Sequence, residues 1–134
     1  HPTSFVQYAC AKALQDSDAT IAAVNAMTTE YERRKNYFVP ALNEINGFKC
    51  AMPEGAFYAF VDVGEMLGGE FATSADIADK LLKDVHIVVT DGAGFGADGF
   101  IRFSYATSME NLEKAVAAMQ EIFGTRAQDI STAK

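Results

Sequence analysis

The side chain with the most chemical consequence in this sequence is Arg102, at the centre of Phe100-Ile101-Arg102-Phe103-Ser104-Tyr105-Ala106. Alternation along a strand puts Arg102 on one face with Phe100, Ser104 and Ala106, and puts Ile101, Phe103 and Tyr105 on the other. A guanidinium among apolar residues is expensive to desolvate alone and needs an anion. Its planar fork suits a carboxylate taken in bidentate fashion. Two readings follow. In one, Arg102 forms an internal salt bridge or reaches back to water from an edge strand. In the other, it receives a carboxylate ligand.

The remaining reactive residue types give less. Cys10 and Cys50 belong to no C-x-x-C pair and are too few for a disulfide scaffold. Both read as small, half-buried apolar residues in a reducing, cytoplasmic setting. His1 and His86 have no partner three or four residues away, so no metal site is expected. No Ser/His/Asp or Cys/His nucleophile system assembles around either histidine. Asp62, Glu65 and Glu70 flank a loop and read as a solvated rim. Gly94-x-Gly96-x-x-Gly99 matches the dinucleotide fingerprint as a string. That fingerprint requires a helix after it to hold a pyrophosphate, and here a strand follows, so the glycines read as a flexible connection. Asp91 and Asp98 do not make a calcium loop, because Ala93 and Phe95 fill the third and fifth positions.

Charge narrows the partners. With 11 Lys and Arg against 18 Asp and Glu the formal net charge is −7, which lacks the basic footprint of a nucleic-acid binder. No apolar run approaches the roughly 18 residues that a membrane span needs, and no signal peptide is expected from the opening residues. At 134 residues, the chain has the core of one domain. It begins at His1 rather than Met, which raises the expectation of a piece of something larger.

The elements that must position Arg102 read as follows. A helix covers 4–16, with Phe5, Tyr8, Ala9 and Leu14 near one face. A longer helical pattern spans about 18–46, carrying Ile21, Val24, Met27, Tyr31, Phe38, Leu42 and Ile45, with a kink expected at Pro40 and a stop at Asn46-Gly47. A helix of that length suggests a bridge to another domain. Strands are predicted at 48–52, at 56–63 (apolar enough to be covered on both faces), at 86–89 and at 100–106. Ser74-Ala75-Asp76 caps a helix over about 75–83, and Ser108 caps another from Met109 to about Phe123. The remainder, 125–134, reads as a polar tail after a domain of residues 1–124. The fold class is α+β: two layers, with a small mixed sheet covered by helices mainly on one side and a long kinked N-terminal helix.

Three stretches together resemble the C-terminal, small domain of the class I/II aminotransferases, the fold-type I pyridoxal-phosphate enzymes. His1-Pro2-Thr3-Ser4 with Gln7-Tyr8-Ala9 resembles the family's Asn-Pro-Thr-Ser segment and following helix. Pro53-Glu54-Gly55-Ala56-Phe57-Tyr58 resembles its P-x-G-A-F-Y stretch. Gly94-Phe95-Gly96 with Gly99 to Ala106 resembles its F-G-x-x-G-x-x-R-x-S-[YF]-A signature. The likeness runs over roughly 1–124 and is most similar to bacterial aspartate aminotransferases.

The resemblance implies that Arg102 binds the α-carboxylate of an amino-acid or 2-oxo-acid substrate. It implies structural duties for Gly55, Phe95 and Gly96 in the turns before the strands, and places Thr3 and Ser4 near a dimer interface. It implies pyridoxal phosphate for the parent enzyme, a homodimer whose large domain and Schiff-base lysine are expected outside this sequence. None of Lys12, Lys35, Lys49, Lys80, Lys83, Lys114 or Lys134 has the family's lysine context, so the chain alone is expected to bind no cofactor and to be inactive. Thr90-Asp91-Gly92 departs from the proline that the family usually carries before its glycine. The competing reading is a stand-alone small-carboxylate-binding or protein-interaction domain. An apolar surface along Phe5, Tyr8, Tyr31 and Phe38 is expected to promote self-association.

Overall fold

A computed structural model describes residues 2–126 of the chain. The order is α1 (Ser4–Gln15), α2 (Ser17–Asn43), β1 (Lys49–Cys50), β2 (Tyr58–Asp62), α3 (Ser74–Val85), β3 (Thr90–Asp91), β4 (Phe100–Ser104) and α4 (Met109–Phe123). Short 3-10 turns occupy Gly64–Met66 and Gly92–Phe95. The chain divides into two compact units, residues 1–33 and 34–134.

In the first unit, α1 starts without a side-chain cap at Thr3. Thr20 donates its hydroxyl to the Ala13 carbonyl at 2.5 Å, across the break at Asp16. None of residues 2–33 is buried. Phe5 is 74% exposed, Tyr8 79% and Leu14 80%, and Cys10 is exposed rather than half-buried. A helix buries its apolar stripe only where a second surface faces it, and the helical period of α1 does not supply one.

The second unit holds the core. The strand order is β1-β2-β4-β3, and all three pairings are antiparallel, which replaces the mixed sheet expected from the sequence. Ala59 and Val61 of β2 and Ile101 and Phe103 of β4 are buried on one face, packed with Phe38, Leu42, Phe48, Ile77, Leu81, Leu112, Val116 and Met119. Phe38, expected at the surface, is 1% exposed, with its ring edge-on to Phe103 at 5.9 Å. β2 was expected to be covered on both faces. Its burial instead alternates, and Phe60 is 37% exposed on the face opposite the core.

Several boundaries move for identifiable reasons. α2 ends at Asn43, because Glu44–Gly47 turns back and Asn46 takes the Gly124 carbonyl at 3.1 Å. Pro40 sits inside α2, where it has no N–H to offer the carbonyl four residues earlier. The strand expected at 86–89 is absent. His86 takes a left-handed conformation (φ 57) as the C-cap of α3, and its N–H and that of Ile87 both go to the Leu81 carbonyl. Strand pairing begins only at Thr90. α3 is capped by Thr73 rather than Ser74: Asp76 N–H bonds the Thr73 hydroxyl, and the Asp76 carboxylate accepts from Thr73 N at 2.8 Å. At the other end, Thr125 bridges to Ile45 and Arg126 donates its amide to Glu44 O at 2.7 Å. The rest of the expected tail lies outside the described residues.

Candidate functional site

The face of the sheet turned away from the core carries the candidate arginine. In β4, Ile101 and Phe103 point into the core while Phe100 and Arg102 are half-exposed and Ser104 is exposed, the alternation read from the sequence. Antiparallel register puts Phe60 of β2 on one side of Arg102 and Thr90 of β3 on the other. β4 is thus an inner strand, and Arg102 is not an edge-strand arginine.

Two aromatic rings lie against the guanidinium. Its Cζ sits 4.3 Å from the centroid of the Tyr58 ring and 4.4 Å from that of Phe95. Both distances are within cation–π range. Phe95 also meets Phe60 edge-on at 6.4 Å, and Phe60 stacks on Phe100 at 4.9 Å with 15° between the planes. Among the described residues, Arg102 makes no ion pair with a carboxylate; the acids expected as a rim have other partners. Asp62 accepts from Gly64 N at 2.8 Å, Glu65 pairs with Lys49 at 2.5 Å, and Glu70 lies 3.8 Å from Lys80. A salt bridge among the described residues therefore does not account for Arg102.

Tyr58 comes to the site through a constrained approach. Ala56, two residues earlier, has φ 61, a region that a residue with a Cβ rarely takes. Gly55, read as the turn glycine, does not have positive φ, and nothing crowds its missing side chain. Tyr105 holds the strained segment in place: its hydroxyl donates to Ala56 O at 3.1 Å and its amide to Phe57 O at 2.9 Å. Burial pushes the Tyr105 hydroxyl above its ordinary pKa, so it remains a donor.

Phe95 is delivered by the glycine-rich connection. Gly92 is buried, and a Cβ there would press into the carbonyl oxygens of Ala97 and Phe100. Gly96 closes the 3-10 turn with φ 73, and its N–H goes to Ala93 O at 2.9 Å. The buried Ser74 hydroxyl anchors both ends of this loop, donating to Asp91 Oδ1 at 2.6 Å and accepting from Gly99 N at 3.3 Å. Asp91 is thereby tied to α3.

The sequence singled out Arg102, Gly55, Phe95 and Gly96. The structure brings Arg102 and Phe95 into contact, and places Gly96 at the turn behind Phe95 and Gly55 beside the strained Ala56. Tyr58 and Ser74 were missed as parts of this arrangement. Tyr58 stands opposite Ser104, one diagonal step from Arg102, and no tight turn joins β2 to β4 to reveal that register. Burial raises the Cys50 thiol, and no nucleophile role falls on it. Among the described residues, no three His, Cys, Asp or Glu side chains gather to hold a metal, and no helix is long and apolar enough to cross a membrane.

Comparison with known proteins gives a consistent picture. A family model described as aminotransferase class I and II matches residues 2–119. The chain is 38% identical over 123 residues to aromatic-amino-acid aminotransferase 2 of Thermococcus litoralis, covering 90% of this chain and 30% of that protein. It is 37% identical to the aspartate aminotransferase of Pyrococcus abyssi, again over 90% of this chain and 30% of the relative. Among solved structures, aspartate aminotransferase of Thermus thermophilus with maleate superposes with a TM-score of 0.80 at 32% identity, covering 90% of this chain and 30% of that one. The chain thus spans about 30% of the length of the curated relatives it matches.

Proposed function

The chain belongs to the class I and II aminotransferases, and from that membership we propose that it forms the part of a transaminase that receives the substrate α-carboxylate, at Arg102. The observation that carries this reading is a half-buried guanidinium on the sheet face opposite the core, lying over two rings and without a carboxylate of its own among the described residues. Such a group is poised for an external carboxylate, the planar partner its fork fits. The substrates are an amino acid and a 2-oxo acid, and the whole enzyme is an aspartate-type homodimer. The dicarboxylate maleate in the Thermus relative agrees with that type.

Members of the family use pyridoxal phosphate, which supplies the electron sink for transamination. Four of the six described lysines are committed to acidic partners and do not fit that group. Lys49, Lys80, Lys83 and Lys114 pair with Glu65, Asp84, Asp79 and Glu110. The hydrogen bonds that Lys80 and Lys83 donate to Asp84 and Asp79 raise both ammonium groups above the ordinary lysine pKa, the opposite of what a Schiff-base nucleophile requires. We therefore assign cofactor attachment to the portion of the relatives' length that this chain does not span. The exposed Phe5, Tyr8 and Leu14 of α1 are the surface that this portion or the second subunit covers.

Two measurements test the reading. The chain mixed with pyridoxal phosphate, aspartate and 2-oxoglutarate is expected to give no turnover above a cofactor-only blank; turnover by the chain alone overturns it. Acetate titrated into the chain is expected to shift the amide signals around β4, and Arg102→Ala to abolish those shifts. Unchanged shifts in the variant remove Arg102 from its role.

A further inference from the structure

We propose that Tyr58 and Phe95 are positioning residues that clamp the Arg102 guanidinium between aromatic faces, so that the site accepts a planar carboxylate at the guanidinium edge and discriminates against tetrahedral oxyanions. The inference deepens, and rests on, the reading of Arg102 as a carboxylate site. Its basis is the pair of distances from the guanidinium carbon to the ring centres, 4.3 Å to Tyr58 and 4.4 Å to Phe95, from two separate chain segments.

A guanidinium donates its hydrogen bonds in its own plane, while its two faces are free for stacking. A ring against a face removes that side from approach and presents the negative pole of the ring quadrupole to any anion there. A carboxylate, itself planar, satisfies the exposed edge with two parallel hydrogen bonds and no atom out of plane. Phosphate or sulfate at the same edge has further oxygens above and below the plane, where rings clamping the two faces would meet them. The clamp also limits the torsional freedom of a long side chain that otherwise has several rotamers to lose on binding.

Both rings are held by features unrelated to Arg102 itself, as a positioning function requires. Tyr58 follows the strained Ala56, fixed by the two hydrogen bonds from Tyr105. Phe95 ends a 3-10 turn locked by buried Gly92 and by the Ser74–Asp91 bond at 2.6 Å. Phe95 remains 52% exposed. Its ring meets Phe60 edge-on at 6.4 Å and lies over the guanidinium at 4.4 Å.

The test uses the whole chain, with acetate and inorganic sulfate as probes at matched ionic strength, and reads the Arg102 Nε–Hε signal by NMR. Without ligand, ring currents are expected to place Hε upfield of the Arg33, Arg34 and Arg126 signals. Tyr58→Leu and Phe95→Leu move it back toward them, and Tyr58→Phe and Phe95→Tyr leave it in place. Acetate affinity is expected to fall about two- to fivefold for each ring removed, the range of an exposed cation–π contact, and to recover in the ring-retaining variants. The preference for acetate over sulfate narrows in the same order. An Arg102 signal at the ordinary arginine position, or one indifferent to both Leu variants, overturns the clamp. Loss of the carboxylate reading is a separate outcome: acetate binding that survives Arg102→Ala removes the site, while the ligand-free signal still decides the clamp. If Tyr58→Leu fails to fold, Phe95→Leu, on the exposed ring, decides alone.

Discussion

Residues 1–33 and the unit that follows are both rich in helix, yet they use their apolar residues in opposite ways. α1 carries Phe5, Val6, Tyr8 and Leu14, none of them buried, and begins without a side-chain cap. α3 has the same 12-residue length, buries Ile77 and Leu81 against the sheet, and starts with a reciprocal capping box. The difference shows that apolar content at helical spacing does not by itself place a residue in a core; an opposing surface does. It also separates two tasks in one chain: the second unit holds itself together, and the first presents apolar surface outward.

The sharpest way to break that contrast is to remove a core ring. Phe103 is 3% exposed and contacts Phe38 and Phe48 with ring centroids at 5.9 and 6.2 Å. Phe103→Ala is expected to destabilise the chain by about 3–5 kcal/mol, the usual consequence of a buried cavity of that size. The urea midpoint measures it. A loss under about 1 kcal/mol would mean that the second unit is no better packed than the first.

The cap of α3 offers a smaller and pH-dependent test. Thr73→Ala is expected to cost about 1 kcal/mol. The Asp76 carboxyl is held below the ordinary aspartate range chiefly by the Thr73 amide, with the Thr73 hydroxyl and the Ala72 amide adding to it. A depressed folded-state pKa means that the ionised carboxylate stabilises the fold above the unfolded value, about 4 for an aspartate. That contribution disappears as pH falls through the folded value. Asp76→Asn should therefore destabilise at pH 7 and make progressively less difference below about pH 4. A difference that does not vary with pH would mean that the charge has no part in the cap.

The two units were also unequally legible in the sequence. α4 could be read from Ser108 to Gly124 because cap, period and stop agree, and Ser108 does accept from Asn111 N at 3.2 Å. The face of Arg102 followed from simple alternation. Ile87-Val88-Val89 misled because an apolar run looks like a strand, while the amides of His86 and Ile87 are committed to the Leu81 carbonyl. Tyr58 stayed hidden because sequence-distant strands carry no record of their register. Phe38 and Cys10 were misplaced for one shared reason: helical spacing tells which side a residue is on, and not whether anything faces that side.

The smallest expected effect belongs to α1, and its smallness is the point. Tyr8 is 79% exposed, so Tyr8→Ala removes almost no area that folding takes from water. The expected change in stability is within about 0.5 kcal/mol, as for surface substitutions generally. Self-association is expected to respond where stability does not, because an exposed aromatic next to Phe5 contributes apolar area to contact between molecules. Sedimentation at increasing concentration, run on the chain and on Tyr8→Ala, separates the two quantities. A stability loss comparable to that of Phe103→Ala would show that α1 has a core of its own. Equal association by both proteins would show that its apolar surface lies elsewhere.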